Sequence, residues 1–260
     1  MYSRPKKSLG QNFLTSVPAR IAIVNAGNLS SADTVLEIGP GRGFLTQGLL
    51  DTGAHVVALE KDKELLPVLA EQFSNYNNFT LTEGDALEFD PSTFQLPPST
   101  YKLIANIPYY ITGAILSKYL SHKHQPTQMV VLVQQEVAER VVARDKKESI
   151  LSLAVKAYGE PKIVYRVKRG SFNPIPNVDS AVLSINNISR KNFTSGLHEE
   201  NFFNVIKAGF SHKRKFLLSN LKEKLPGIAW GDIFDQHAVS KNVRAEDISL
   251  VVWLKISNSL

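Results

Sequence analysis

The sequence predicts a doubly wound α/β fold: a mostly parallel sheet, an antiparallel closing strand, and a small all-helical domain at the C-terminal end. Three observations predict it. Strand-like and helix-like runs alternate from residue 18 to residue 158, the pattern of a parallel sheet with helices on both faces. The run Val35-Leu36-Glu37-Ile38 stops at Gly39, Gly41 and Gly43, a strand–turn–helix junction of the kind that lets a backbone approach a nucleotide-like ligand. Beyond residue 186 the alternation ceases and helical spacing takes over.

The chain has 260 residues, 43% hydrophobic and 21% charged. That is ordinary globular composition, with room for one sizeable domain and a smaller one. Apolar runs such as Met129-Val-Val-Leu-Val133 are strand-sized and far short of a membrane span. No apolar stretch follows the first charges, so no secretory signal is expected. The absence of cysteine removes disulfides, thiolate nucleophiles and Cys-ligated metal. The histidines show no paired ligand spacing, so no metal is expected. The expectation is a cytoplasmic protein with no membrane contact, monomeric by default. A net charge of +6 suggests an anionic partner, most simply nucleic acid. Residues 187–260 carry +4 of that charge and residues 1–186 only +2.

A basic arm, with Lys6 and Lys7, opens the chain. A helix is expected over 18–29, with Ser16 as its cap and Pro18 in its first turn. Strands are then expected at 35–38, 55–60, 79–83, 101–105 and 128–133, and helices at 43–52, 61–74, 111–120, 135–143 and 150–158. Pro67 is expected to kink or shorten the helix it sits in. A loop with Pro91, Pro97 and Pro98 precedes the fourth strand. Strands at 163–167 and 181–185 flank a proline-rich loop and read as an antiparallel pair closing the sheet. A polar stretch at 186–198 reads as a linker, and helices follow at 201–209, 214–225, 232–239 and 246–256. The domains expected are 1–186 and 187–260.

The glycine turn fails as a dinucleotide fingerprint, because Phe44 stands at the last position, and no P-loop is present. Glu60 ends the next strand, about twenty residues on, where an acid for a ribose diol belongs; it also suits the first turn of a following helix. Gly84-Asp85-Ala86 ends the third strand. There an Asp can accept from an adenine amine while the Ala86 N–H donates to a ring nitrogen. Together these describe an adenosyl site, for S-adenosylmethionine or for a nucleotide cofactor. Asn106-Ile107-Pro108-Tyr109 ends the fourth strand. The Asn106 amide oxygen and the Pro108 carbonyl could both accept from an adenine N6 amine and aim its lone pair at a methyl donor; Tyr109 offers a stacking face. Phe172, on its proline-stiffened loop, is either a core plug or a second stacking wall. Lys213, Arg214 and Lys215, expected at a helix start, oppose the helix dipole; the cluster is either a solvated face or a phosphate contact.

At Asn-Ile-Pro-Tyr the chain resembles the ribosomal RNA adenine N6-dimethyltransferases. The motifs that carry this are Ser8-Leu-Gly-Gln11-Asn12-Phe13-Leu14, Glu37-Ile-Gly-Pro-Gly-Arg-Gly-Phe-Leu-Thr46, Glu60, Gly84-Asp85-Ala86, Asn106-Ile-Pro-Tyr109 and Phe172-x-Pro-x-Pro-x-Val178-Asp-Ser180. The resemblance implies a Rossmann-like fold, S-adenosylmethionine as cofactor, and transfer by in-line displacement at a sulfonium methyl. It implies that Gln11, Asn12 and Leu14 close over the cofactor. Gly39, Gly41, Glu60, Asp85, Ala86 and Asn106 would line it, while Asn106, Pro108, Tyr109 and Phe172 hold the adenine. RNA would be met by Lys6, Lys7, Lys213, Arg214 and Lys215. Leu9-Gly10, Gln135-Glu136, Phe210–Lys215 and Arg244-Ala-Glu246 resemble the housekeeping branch. That branch dimethylates two adjacent adenosines in the 3′-terminal hairpin loop of small-subunit (16S) rRNA, in a pre-ribosomal 30S-type particle; Tyr110 departs from it. The alternatives are a large-subunit (23S) rRNA resistance methyltransferase and a non-catalytic ribosome-assembly factor, with a nicotinamide oxidoreductase a distant third.

Overall fold

The computed structural model describes residues 5–92 and 100–260, apart from the Lys7 side chain; Pro97 and Pro98 lie outside the described residues. Two compact units emerge. The first runs through Ala138 and resumes over Glu160–Ile188; the second comprises Glu139–Gly159 and Ser189–Leu260.

In the first unit, a two-residue strand β1 (Phe13–Leu14) precedes helix α1 (Val17–Gly27). The Ser16 side chain accepts from the Ala19 N–H and Pro18 sits in the first turn, so α1 starts where its cap dictates. Then come β2 (Thr34–Ile38), α2 (Phe44–Leu50), β3 (His55–Glu60), α3 (Leu66–Gln72), β4 (Phe79–Glu83) and β5 (Tyr101–Asn106). Pro67 does not kink α3 but opens it. Its missing N–H costs nothing in a first turn, and residues 61–65 remain outside the helix. Next follow α4 (Thr112–Ser121), β6 (Gln128–Gln134) and α5 (Gln135–Val142), which passes from the first unit into the second. After α6 (Ile150–Tyr158), strands β7 (Glu160–Val167), β8 (Phe172–Asn173) and β9 (Ser180–Asn186) complete the first unit.

Seven strands form one sheet in the order β4-β3-β2-β5-β6-β9-β7. β4, β3, β2, β5 and β6 pair in parallel, and β9 runs antiparallel to both β6 and β7. The inner parallel strands β3, β2, β5 and β6 are largely buried and read as near-continuous apolar runs, whereas the edge strand β4 alternates and has no buried residue. The strand order reverses between β2 and β5, which opens a crevice at their C-terminal ends. Ile38 lies opposite Leu59 and Ala105, and Glu60 opposite Glu83. The residues that follow these strands, Gly39, Lys61, Gly84 and Ile107, therefore emerge along one edge. Beneath it pack Ile23, Val35, Leu49, Val56, Leu69, Phe73, Ile104 and Val130.

The second unit contains α6, α7 (Gly196–Gly209), α8 (Leu217–Lys224), α9 (Trp230–Gln236) and α10 (Leu250–Asn258). Its core is Leu153, Ala157, Phe202, Phe234, Trp230 and Trp253. Because Leu153 and Ala157 of α6 belong to this core, segment 139–159 sits with the C-terminal helices rather than with the domain ending at 186. Helix α7 starts earlier than expected, since Ser195 caps it by accepting from the His198 N–H at 3.1 Å. The basic cluster lies in the turn before α8, not at its first residues, so the helix-dipole argument does not apply to it.

Candidate active site

One cavity opens at the crevice. Its walls are the arm (9–14), the glycine turn (Ile38–Arg42), Glu60 and Lys61, Gly84–Leu87 and Asn106–Ile111. Every residue expected at the cofactor lines it: Gln11, Asn12, Leu14, Gly39, Gly41, Glu60, Asp85, Ala86 and Asn106.

The turn has this shape because its glycines adopt conformations closed to other residues. Gly43 has φ +77°, and a Cβ there would lie 2.7 Å from the Phe73 ring. Gly39 has φ +68° with open space where a Cβ would stand, so the backbone itself forms the wall. The turn is braced by Glu60: the Gly41 N–H donates to its Oε2 at 3.0 Å and the Asp62 N–H to its Oε1 at 2.8 Å. Burial pushes the Glu60 carboxyl up, and these backbone donors oppose the shift. Asp85 is paired with Lys61 at 2.7 Å and accepts from the Leu87 N–H at 2.8 Å; the Lys61 ammonium holds its carboxyl below the usual range. The buried Ala86, which lines the cavity, makes no hydrogen bond through its N–H among the described residues, which leaves a donor unspent.

Asn106 follows from β5 pairing to β2. Its Nδ2 donates to the Asn12 carbonyl at 3.0 Å, which commits the nitrogen to the arm and leaves Oδ1 as a free acceptor. The Pro108 carbonyl, expected as the second acceptor, instead takes the Ile111 N–H at 3.1 Å and closes the short 3₁₀ turn Tyr109–Ile111. The Ile107 carbonyl accepts no bond among the described residues and lies one residue nearer Asn106. The Tyr109 hydroxyl shares a 2.7 Å hydrogen bond with Ser180 Oγ, which fixes its half-buried ring in the wall; burial raises its pKa.

Phe172 is not in the cavity wall. It is 2% exposed, pairs with Leu14 through β1 and β8, and packs in the sheet core. Of the two readings its sequence allowed, the core plug holds in this conformation. Lys6, expected at RNA, is bound to acids: its Nζ lies 2.6 Å from Asp62 and 2.9 Å from Glu64. The Lys7 side chain lies outside the described residues. Lys215 is tied to Glu223 at 2.9 Å, as is His212 at 3.2 Å, and with Lys224 they hold the Glu223 carboxyl near 2. Lys213 and Arg214 make no ion pair among the described residues and remain exposed.

Sequence reasoning missed Asp62. Its carboxylate is buried, and besides Lys6 it takes the Gln11 Nε2 at 2.8 Å, while Gln11 Oε1 accepts from the Lys6 backbone N–H at 2.7 Å. Burial works against the charged form, but Lys6 and Gln11 outweigh it and the net shift is downward. Asp62 thus latches the arm across the cavity. The signal was present in Glu60-x-Asp62, but its partner is 56 residues away. Asp62→Asn is expected to weaken cofactor binding about tenfold with little change in kcat, and to expose the arm to trypsin; calorimetry and limited proteolysis check both. Unchanged cleavage and affinity would mean that the arm holds without it.

Glu37, two residues before the turn, is 1% exposed, and neither carboxyl oxygen has a hydrogen-bond partner among the described residues. Burial, with the Glu60 charge adding to it, pushes its pKa up to about 8; the nearby Thr46 hydroxyl opposes the shift. The folded chain then holds a proton that the unfolded chain releases near its ordinary value of 4.5. Stability is expected to fall as pH rises from about 4.5 to 8, by an amount on the order of a few kcal/mol, and to level off above. Glu37→Gln should remove that slope in thermal denaturation; a slope unchanged in the variant would assign it elsewhere.

Residues 2–260 match the model of a family described as ribosomal RNA adenine dimethylase. A protein of Dehalococcoides mccartyi strain CBDB1 named ribosomal RNA small subunit methyltransferase A is 40% identical over 256 residues, 97% of this chain and 87% of its own. A protein of the same name from Fusobacterium nucleatum is 38% identical, over 98% of this chain and 97% of its own. Among solved structures, a dimethyladenosine transferase from Plasmodium falciparum superposes with a TM-score of 0.80 at 26% identity, over 94% of this chain and 95% of that one. The 23S rRNA methyltransferase ErmE gives 0.78 at 26%, over 96% and 99%. With residues 2–260 matched, and with a cavity walled by the glycine turn and an Asn-Ile-Pro-Tyr turn, the chain belongs to the ribosomal RNA adenine dimethylase family.

Proposed function

We propose that this chain dimethylates N6 of two adjacent adenosines in the 3′-terminal hairpin loop of small-subunit rRNA, with S-adenosylmethionine as donor. The observation that carries it is the Asn106 amide: its nitrogen is committed to the Asn12 carbonyl, so its oxygen is left as an acceptor on the cavity wall. The residues present fit the cofactor. The Ala86 N–H is an unspent buried donor, Asp85 has lone pairs left for an adenine amine, and Glu60 has lone pairs left for a ribose diol. That cofactor supplies an electrophilic methyl on a cationic sulfur.

The protein's contribution is positioning. Asn106 Oδ1 and the Ile107 carbonyl accept the N6 hydrogens and draw the amine away from planarity, which directs its lone pair into the cavity. Tyr109 stacks on the base, with its ring held at the hydroxyl by Ser180. The latched arm excludes water. No side chain is asked to act as a base, because the methylated amine sheds its proton to solvent. Lys213 and Arg214 suit RNA phosphates better than Lys6 or Lys215, whose charges are already paired. The relatives at 38–40% identity carry small-subunit names, which supports this branch.

The test is incubation with labelled S-adenosylmethionine and either immature small subunits or large-subunit rRNA, followed by mapping of modified adenines. Dimethyladenosines in the small-subunit hairpin are expected. Label confined to large-subunit rRNA would overturn the substrate, and RNA binding without transfer would favour a pure assembly factor.

A further inference from the structure

The segment between β8 and β9, residues 174–179, joins two walls of the cavity. It leaves β8, which pairs with the cavity-lining residues Phe13 and Leu14, and it ends at Ser180, which bonds Tyr109. Its far end is tied down. Asp179 accepts from the Arg169 N–H at 2.9 Å and from Lys168 Nζ at 2.8 Å, and its carbonyl accepts from the Gln135 N–H at 3.0 Å. Between these anchors Ile175 stands 65% exposed with Pro174 and Pro176 on either side, and Val178 is 43% exposed. A singly exposed aliphatic side chain is ordinary, but this one is held by two prolines, with Val178 three residues on, on a loop rooted at both ends in residues that touch the cavity wall.

The neighbourhood says what covers it. Lys168, though 85% exposed, is tied to Asp179, while the Arg169 side chain beside it is exposed with no ion pair among the described residues. A free guanidinium whose backbone N–H is bonded to the end of the loop that carries an aliphatic tip suits a polyanion with apolar faces, which describes a nucleic acid and not an apolar protein surface. A base that leaves its stack to reach Tyr109 vacates a gap between two apolar faces. Filling that gap with an aliphatic side chain offsets part of the unstacking cost. Prolines on both sides reduce the freedom lost when such a side chain is ordered.

We propose that Ile175 is a wedge: it enters the RNA stack at the place left by the target adenine and holds the gap open, with Val178 beneath it and Arg169 on a flanking phosphate. The inference rests on the RNA-methylating reading. It makes Ile175 a positioning residue, since the reacting atoms meet Asn106 and Tyr109 instead.

The experiment uses the full chain with small-subunit RNA carrying 2-aminopurine at the target adenosine, whose fluorescence rises when the base unstacks. Wild type and Ile175→Leu should give the rise. Ile175→Ala should lose most of it, with kcat/KM for unsubstituted RNA down roughly 10- to 100-fold, while cofactor affinity and thermal stability stay at wild-type values. RNA with an abasic site next to the target, where the wedge has one face fewer to meet, should narrow the gap between wild type and Ile175→Ala. If Ile175→Ala unstacks and methylates like wild type, or if the abasic neighbour leaves the gap unchanged, the wedge is overturned. If wild type neither unstacks the labelled small-subunit RNA nor methylates the unsubstituted one, while it does both with large-subunit rRNA, the substrate assignment has failed, and the same comparison of variants on that RNA decides the wedge.

Discussion

Asn106→Ala is expected to lower single-turnover methyl transfer about 10³-fold while leaving RNA affinity within about twofold of wild type. The side chain ends β5 at the crevice and is half-buried, with its amide already turned by the Asn12 carbonyl. Truncation removes the only side-chain acceptor proposed for the N6 amine and also frees the arm at Asn12. RNA phosphates are met elsewhere, so binding should survive. Asn106→Asp separates the two effects. It keeps an acceptor but loses the donor to Asn12, and its charge faces that carbonyl. Transfer by the Asp variant should fall between wild type and Ala. Rapid-quench kinetics with saturating cofactor, alongside filter binding, reads both quantities. Near-normal transfer in the Ala variant would sink the proposed alignment of the amine.

Glu60→Ala is expected to raise the cofactor dissociation constant at least 100-fold. Two charge-assisted hydrogen bonds to a ribose are each worth roughly 1.5–3 kcal/mol, and tenfold corresponds to about 1.4 kcal/mol. The carboxylate also satisfies the Gly41 and Asp62 N–H groups. Its loss therefore loosens the glycine turn and the residue that latches the arm. Glu60→Gln keeps one carbonyl acceptor but sets an amide nitrogen against a backbone N–H, so a smaller loss is expected. Calorimetry with S-adenosylmethionine and its demethylated product reads the effect; equal affinity in the Ala variant would move the ribose off Glu60.

Much of the fold was legible because parallel strands buried on both faces announce themselves. Met129–Val133 could hardly be anything but a central strand, and Ser16 with Pro18 marked the start of α1. What was not legible depended on approach in space. Helix α6 is amphipathic whichever core it joins; only the fold places Leu153 and Ala157 against Phe202 and Trp253. Lys6 reads as a free cation until Asp62 meets it. The side chains that line the cavity were expected there from their spacing at strand ends. Backbone groups leave no mark in a sequence, so nothing in it told that the Pro108 carbonyl takes the Ile111 N–H while that of Ile107 accepts no bond among the described residues. Phe172 shows the limit of a motif: the residue type was noted, but its β1 pairing hides the ring.

The short pairing of β1 with β8 couples two exits. The arm that Asp62 latches continues directly into Phe13 and Leu14, and these hold Asn173 and Phe172 at the root of the target loop. On the proposed reaction each methyl consumes one cofactor, and a cofactor bound beneath the arm would leave by lifting it. Lifting it would strip β1 from β8 and slacken the loop proposed to meet the RNA. Renewal of the donor and the hold on the base are thus mechanically in series. A chain built this way tends to let go of its substrate between methyls, and a singly methylated adenine becomes a species that must be caught again.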